Sequence, residues 1–178
     1  MTAGNPPGAE LVERVDADDR VMAVVPRAEA IRNGWLHRIA ATVCRDARGR
    51  ILVYRRASDL SRYPSMYDVM FGGAVGAGES YRAAAARELA EELGVDAAVR
   101  PVVRFLCRGA AGSYWLTVCE AAITGRLRPD PREIAWHGWV RATALPALVR
   151  SRPFIADGQA AFARYRAALQ SQNVTYNM

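Results

Sequence analysis

The sequence predicts a single α/β (α+β) domain in which short strands precede and follow one alanine-rich helix. Three observations predict it. Apolar runs of strand length recur along the chain, among them Ile51-Leu-Val-Tyr54 and the alternating segment 114–122. Between them lies Tyr81-Arg-Ala-Ala-Ala-Ala-Arg87, rich in the strongest helix former and flanked by Ser80 and Gly94 as natural start and stop. The chain has 178 residues, about half of them apolar, which is enough for one buried core.

Taken in order, residues 1–9 are Gly-, Pro- and Asn-rich and are expected to form a disordered tail. Residues 10–15 and 21–25 flank an acidic turn at 16–20 and predict a β-hairpin. Residues 27–34 make a polar connector with one helical turn. Strands are expected at 36–44 and 50–55, joined by Asp46-Ala-Arg-Gly49. A polar loop at 57–68 precedes Val69-Met-Phe71, which leads into a glycine-rich loop. Beyond the helix, strands at 99–108 and 114–122 are separated by Gly109-Ala-Ala-Gly-Ser113. In the second of these, Tyr114, Leu116 and Val118 share one face, and Trp115, Thr117 and Cys119 the other. A proline-containing loop at 126–132 leads to a strand at 136–140. Helices at 142–150 and 154–169 follow, and residues 171–178 form a frayed tail. The domain thus spans residues 10–170.

Composition excludes several functions. No apolar run reaches membrane-spanning length, and the N-terminus lacks the apolar centre of a signal peptide, so a cytoplasmic protein with no membrane partner is expected. Cys44, Cys107 and Cys119 have no metal-ligand spacing and read as reduced core residues. The net charge is +6, yet every one of the 24 basic residues is Arg. The arginines are scattered with no basic run, which favours an anionic small molecule over nucleic acid. The absence of Lys excludes Schiff-base chemistry.

Chemistry concentrates in Gly73-Ala-Val-Gly-Ala-Gly-Glu79 and Arg87-Glu88-Leu89-Ala90-Glu91-Glu92-Leu93-Gly94-Val95. At 100° per residue, Ala83, Ala86, Leu89, Ala90 and Leu93 share the side expected to face the core. Glu88, Glu91 and Glu92 share an arc of roughly 100° on the opposite side. Such carboxylates repel one another. Arg87 neutralises one, with Glu79 competing for it, and a bound divalent cation supplies the rest. A plain solvated helix face is the competing reading of Glu-Leu-Ala-Glu-Glu alone.

The larger pattern resembles the Nudix hydrolase signature: Gly73, five residues, Glu79, seven residues, then Arg87-Glu88-Leu89-x-Glu91-Glu92-x-Gly94-Val95. Flanking residues Arg32 to Arg38, Gly49 to Arg56, and Pro64 with Tyr67-Asp68 resemble the subgroup related to isopentenyl-diphosphate isomerase. The resemblance implies an α/β/α sandwich with a mixed sheet, extended by the N-terminal β-hairpin. It implies a small-molecule diphosphate substrate, magnesium or manganese as cofactor, and a homodimer. It implies metal binding by Gly73, Glu88, Glu91 and Glu92, and an orienting ion pair between Glu79 and Arg87. The general base is then Glu88, with Glu133 as a further base or ligand. Arg55, Arg56 and Arg62 are candidates to grip phosphates. Tyr67, Trp115 and Trp136 are weighed as base-stacking aromatics against core residues, and His37 as a metal ligand against a structural hydrogen bond. Where the isomerase carries a Cys and a His before the signature, this chain has Phe71-Gly72-Gly73. The expected activity is therefore pyrophosphate-bond hydrolysis. An isomerase-like enzyme and a non-catalytic nucleotide-sensing module are the alternatives.

Overall fold

The computed structural model describes residues 10–109 and 112–175. The expected disordered tail at 1–9, the tip of the loop at 110–111 and residues 176–178 lie outside the described residues. A hairpin of β1 (Leu11–Val15) and β2 (Val21–Pro26) opens the chain and leads directly into the short helix α1 (Arg27–Arg32). The main sheet holds β3 (Arg38–Arg45), β4 (Ile51–Arg56), β5 (Tyr67–Asp68), β6 (Phe71–Ala74), β7 (Val99–Gly109), β8 (Gly112–Ala122) and β9 (Ile134–Val140). Three further helices are α2 (Tyr81–Leu93), α3 (Leu145–Ser151) and α4 (Ala156–Thr175).

The spine is β3, whose Ile39-Ala-Ala-Thr-Val-Cys44 run is apolar on both faces, as a strand covered on both sides requires. It pairs in parallel with β8 over eight residues, from Arg38↔Trp115 to Arg45↔Ala122. Among the described residues every other pairing between these strands is antiparallel, so the sheet is mixed. On its other edge β3 is shared. Its first half pairs with β6, from Ile39↔Ala74 to Thr42↔Phe71, whereas β4 meets it only at Arg45↔Ile51. The sheet therefore forks, with the end of β4 at Arg56 parted from β6 at Gly72.

Strand alternation divides the core into two layers. Leu52, Tyr54, Phe71 and Cys119 pack on one face against Ala84, Ala85, Leu89 and Leu93 of α2. Val43, Val53 and Val118 pack on the other against Phe154 and against Ala161 and Tyr165 of α4. The expected faces of β8 hold: Tyr114, Leu116 and Val118 join the second layer, and Trp115 and Cys119 the first.

Several boundaries differ from the sequence reading, each for a local reason. The start of the expected glycine loop, Gly72-Gly73-Ala74, is strand, because β3 offers an open edge there. Phe154 does not begin a helix. Tyr67 N–H donates to Pro153 O at 2.8 Å and Ile155 N–H to Tyr67 O at 3.0 Å, so the chain is held extended beside β5. α3 starts late, with Pro146 in its first turn where a missing N–H costs nothing. α4 runs through Thr175, past the expected fraying point at 171.

Polar bonds dock the hairpin onto the sheet and onto the loop before α2. Arg38 donates to Asp19 Oδ1 at 2.6 Å and to Glu13 Oε2 at 2.5 Å. Tyr81 O–H and Arg104 both donate to Asp19, and Gly78 N–H donates to Glu13 Oε1 at 3.1 Å. Beneath this network Val12 and Ala30 pack on Ala74. Removing one partner of such a sheltered network leaves the others desolvated without compensation. We therefore expect Arg38→Met to lower unfolding free energy by about 3 kcal/mol, read as a reduced urea midpoint with unchanged m-value.

Candidate active site

Helix α2 is the wall of the site. Ser80 Oγ accepts the Ala83 N–H at 3.1 Å and fixes its start, and Gly94 in the left-handed conformation closes its end. Its buried stripe is Tyr81, Ala84, Ala85, Leu89 and Leu93. This corrects the expected core face, since Ala83 and Ala90 are exposed. The stripe is the face that packs on Leu52, Tyr54, Phe71 and Cys119 of the sheet, and the loop at 128–132 covers the C-terminal end of the helix. Arg128 N–H donates to Leu93 O at 2.7 Å, and Asp130 N–H to Glu92 O at 2.9 Å. Glu88 and Glu92 consequently lie at the border of the buried face and not opposite it. The Glu88 side chain is 13% exposed and that of Glu91 59%.

Arg87 ties this wall together. Its Nε and Nη2 donate to the two oxygens of Glu79, each at 3.0 Å, so the expected ion pair is bidentate. Its Nη1 reaches Glu88 at 2.7 Å and Glu91 at 3.3 Å, and its Nη2 also donates to Ala74 O at 3.0 Å. Glu79 additionally accepts the Gly76 N–H at 2.9 Å. The Arg87 guanidinium holds the Glu79 carboxyl below its ordinary pKa.

Two glycines bring the sheet to the helix. A Cβ on Gly73 would lie 2.5 Å from Glu88 Oε1, and one on Gly72, whose φ is +156°, would lie 2.0 Å from Ala40 O. At Gly72 only glycine lets β6 run this close to the β3 backbone, and at Gly73 a larger residue would displace the Glu88 carboxyl.

An open cleft of about 740 Å³ lies where the sheet forks. Glu88, Glu91, Glu92 and Glu133 line it, together with Gly72 and Gly73 of β6. Arg27, Arg56, Arg62 and Arg132 line it as well. The cleft thus has an anionic wall and a ring of guanidinium groups. Burial raises the pKa of Glu88 despite its bond to Arg87. Burial first, then the charges of Glu88 and Glu133, drives that of Glu92 well above the usual range, partly offset by the Gly72 N–H and Arg56.

Among the described residues no three His, Cys, Asp or Glu groups already converge tightly enough to enclose an ion. The donor set nevertheless fits a hard divalent cation. Glu92 is crowded by two carboxylates and faces no full salt bridge, and magnesium completes its shell with waters and phosphate oxygens.

The other anticipated residues divide clearly. Arg56 and Arg62 line the cleft, with Arg56 Nε donating to Arg62 O at 3.1 Å. Arg55 does not line it: alternation along β4 sends it to the opposite face, where its Nε is buried without a partner. His37 is buried, its Nδ1 lies 3.2 Å from Trp35 O, and burial lowers its pKa, consistent with a structural role. Trp115 donates to Asp16 O at 3.1 Å and packs on the core. Trp136, 42% exposed, stands edge-on to Tyr67, which stacks on Phe154; none of the three lines the cleft. Sequence reasoning missed Arg27, Asp130 and Arg132. In a chain where every cation is Arg, identity gave no signal for Arg27. Asp130 and Arg132 lie in the proline-containing loop, whose anchoring to α2 is visible only in three dimensions.

A mixed-sheet sandwich carrying this loop and acidic helix defines a diphosphate-handling hydrolase fold. The NUDIX domain model matches residues 35–158, and the chain belongs to the Nudix family. It is 39% identical to an uncharacterised Nudix hydrolase of Streptomyces coelicolor, covering 89% of each chain. It is 36% identical to the isopentenyl-diphosphate Delta-isomerase of Nocardia farcinica, covering 80% of this chain and 85% of the relative. It is 28% identical to a prenyl-diphosphate phosphatase of Methanosarcina mazei, covering 80% and 86%. Among solved structures, DR0079 from Deinococcus radiodurans superposes with a TM-score of 0.73 at 26% identity, covering 87% of this chain and 98% of that one. The family acts on diphosphate-containing small molecules and generally uses divalent metal ions.

Beside the cleft, Asp68 is 6% exposed, and burial raises its pKa to about 7. Its Oδ1 accepts the Val69 N–H at 2.7 Å and the Met70 N–H at 3.3 Å, which Asn also accepts. An acid whose pKa rises on folding binds more protons in the folded state, so its contribution falls as pH climbs from its unfolded pKa. We expect wild type and Asp68→Asn to match near pH 4. Wild type then loses stability relative to the variant up to about pH 7, and the difference is constant above. Urea unfolding at pH 4, 5.5, 7 and 8.5 measures it.

Proposed function

We propose that the protein is a magnesium-dependent hydrolase that cleaves the pyrophosphate bond of a nucleoside diphosphate-linked or other diphosphate-bearing small molecule. The observation that carries this reading is the meeting of Glu88, Glu91, Glu92 and Glu133 with four arginines in one cleft. A diphosphate presents a chain of negative oxygens that repel an attacking water until they are neutralised.

Arg56 and Arg62 hold the outer phosphate oxygens, since planar guanidinium groups suit bidentate contact. Arg27 and Arg132 close the ring on either side. A magnesium ion, or manganese in its place, held by Glu88, Glu91, Glu92 and the Gly73 backbone carbonyl, would neutralise the bridging phosphates and acidify a bound water. Glu88 accepts the proton of the attacking water. Burial makes it a stronger base than an exposed glutamate, while Arg87 fixes its orientation. Glu133 faces the same space and serves as a second base or ligand. The water oxygen bonds to one phosphorus, and the P–O bond to the bridging oxygen breaks. Glu79 stands one residue further from the reaction and acts through Arg87.

An isomerase reading draws on the Nocardia farcinica relative, but among the described residues no Cys or His lines the cleft. All three cysteines are buried, and burial raises their pKa values, that of Cys119 to about 11. The named prenyl-diphosphate phosphatase among the relatives supports hydrolysis.

The test is release of phosphate or nucleotide from a panel of nucleotide-sugars, dinucleotides, nucleoside di- and triphosphates and isopentenyl diphosphate. We expect turnover that requires magnesium and stops with chelator. Isomer exchange without release would overturn the reading. Glu88→Gln should lower kcat by at least about 100-fold with an unchanged circular dichroism spectrum. Glu79→Gln should instead raise the magnesium concentration needed for half-maximal rate by about 10-fold or more, with a smaller change in kcat at saturation.

A further inference from the structure

The apolar surface that the fold leaves uncovered is concentrated in one place. Among the described residues, six large hydrophobic side chains are exposed by more than a third, and five of them, Leu11, Val21, Met22, Val24 and Ile31, belong to the hairpin and α1. Met22 is 61% exposed and Val24 54%. β1 is held along both edges: by β2 on one, and on the other by Ala77 N–H donating to Leu11 O at 3.0 Å and by Val15 N–H donating to Leu36 O at 2.9 Å. Among the described residues β2 pairs with β1 alone, so its second edge is free. No residue from Val21 to Pro26 is charged. Free edges are ordinarily guarded by charge, and an uncharged apolar one is a template for another strand.

The backbone restricts how a second strand can join. Arg27 N–H donates to Glu10 O at 2.8 Å, so these two residues form a hydrogen-bonded pair at the end of the ladder. Antiparallel pairs alternate, so Val25 opposite Val12 and Ala23 opposite Arg14 also turn their backbone groups toward β1. Val24, opposite Glu13, turns its N–H and C=O outward. Pro26 has no N–H to offer, and the ladder becomes irregular beyond Ala23, where Val15 lies opposite Val21. Val24 is thus the residue of the regular ladder that presents both a donor and an acceptor at the free edge. Val25 packs beneath, on Val12, Ala30 and Ala74, so the Val24 side chain stands on the uncovered face.

We propose that β2 is the interface of a homodimer, in which two copies of this chain pair antiparallel about a two-fold axis through Val24. Val24 N–H of each copy donates to Val24 O of the other, and two hairpins become one four-stranded sheet. Charge favours a second copy as the occupant. The chain carries a net +6, so two copies repel one another wherever arginines face each other. About this axis Met22 lies opposite Pro26, Val21 opposite Arg27 and Arg20 opposite Ala28, so no charge opposes another. Residues 1–9 hold one large apolar side chain, Met1, and do not match the stripe that β2 exposes. Two backbone hydrogen bonds and a small apolar patch belong to the low end of interface sizes, so the dimer is weak, with a Kd on the order of 10 μM. The proposal is independent of the hydrolase reading.

Sedimentation velocity of the full chain, from about 1 to about 200 μM, reads the association without reference to turnover. We expect the wild-type mass to rise toward that of a dimer over this range. Val24→Lys, which sets two ammonium groups side by side, should weaken association by at least about 10-fold. Val24 is exposed in the single chain, so the variant keeps its fold, which circular dichroism and thermal melting check. Val24→Cys should form an intermolecular disulfide under mild oxidation, because a hydrogen-bonded antiparallel pair holds its Cα atoms about 5.5 Å apart. Met22→Cys, whose two copies would lie roughly 14 Å apart, should not. The three native cysteines are buried and give both variants the same background. A wild type that stays monomeric at about 200 μM overturns the assignment and leaves the strand to a partner of different sequence. A dimer that survives Val24→Lys, or cross-linking through Met22→Cys as strong as through Val24→Cys, overturns it as well, by placing the contact elsewhere or in another register.

Discussion

Arg87 is the group on which the rest of the site depends. One guanidinium joins the loop before α2 through Glu79, the sheet through Ala74 O, and the acidic wall through Glu88 and Glu91. Without it, Glu79 and Glu88 would repel each other where water is scarce, and the helix would carry uncompensated anions next to the sheet. With it, one of these charges is neutralised, and the remainder stays on the wall beside Glu91 and Glu92. The site therefore keeps one region of negative potential open toward the cleft. Orientation and residual charge come from the same residue, because Arg supplies five donors in a fixed plane.

The hairpin reinforces this from behind. Glu13 holds the Gly78 N–H, and Ala77 N–H donates to Leu11 O at 3.0 Å, so the loop between Gly73 and Ser80 is bounded by the hairpin on one side and Arg87 on the other. Opposite it, the 128–132 loop satisfies the terminal carbonyls of α2 that no further helical turn can reach. Asp130, Arg132 and Glu133 thus share a frame with Glu88 and Glu92. The cleft is built between segments fixed to one helix at both ends.

Local chemistry made much of this legible in the sequence. Ser80 and Gly94 mark the limits of α2, alternation assigns the two faces of β8, and the family resemblance anticipates the Glu79–Arg87 ion pair. What sequence could not disclose depends on contacts between distant segments. The buried face of α2 is set by where the helix lies on Leu52, Phe71 and Cys119 of three separate strands. Arg55 and Arg56 look equivalent in sequence, yet pleating sends one into the cleft and the other away. The strand at Phe71–Ala74 was hidden because a glycine pair ordinarily weakens a strand, and here the open edge of β3 overrides that tendency. Glu133 was found from its position in the family pattern, while Arg27 arrives from the hairpin side with no sequence neighbour in common with the cleft.

The cationic side of the cleft consists wholly of arginine. A guanidinium stays protonated throughout the range in which proteins remain folded, and it offers no amine for acetylation. Neither alkaline conditions nor lysine-directed modification removes the cationic side of the cleft. Its electrostatic set-point is governed by its acids alone: acidification makes the cleft more positive, and a rise in pH through the raised pKa of Glu92 makes it more negative. Control of this protein's affinity for anions is therefore vested in its carboxylates, set against a cation that does not titrate.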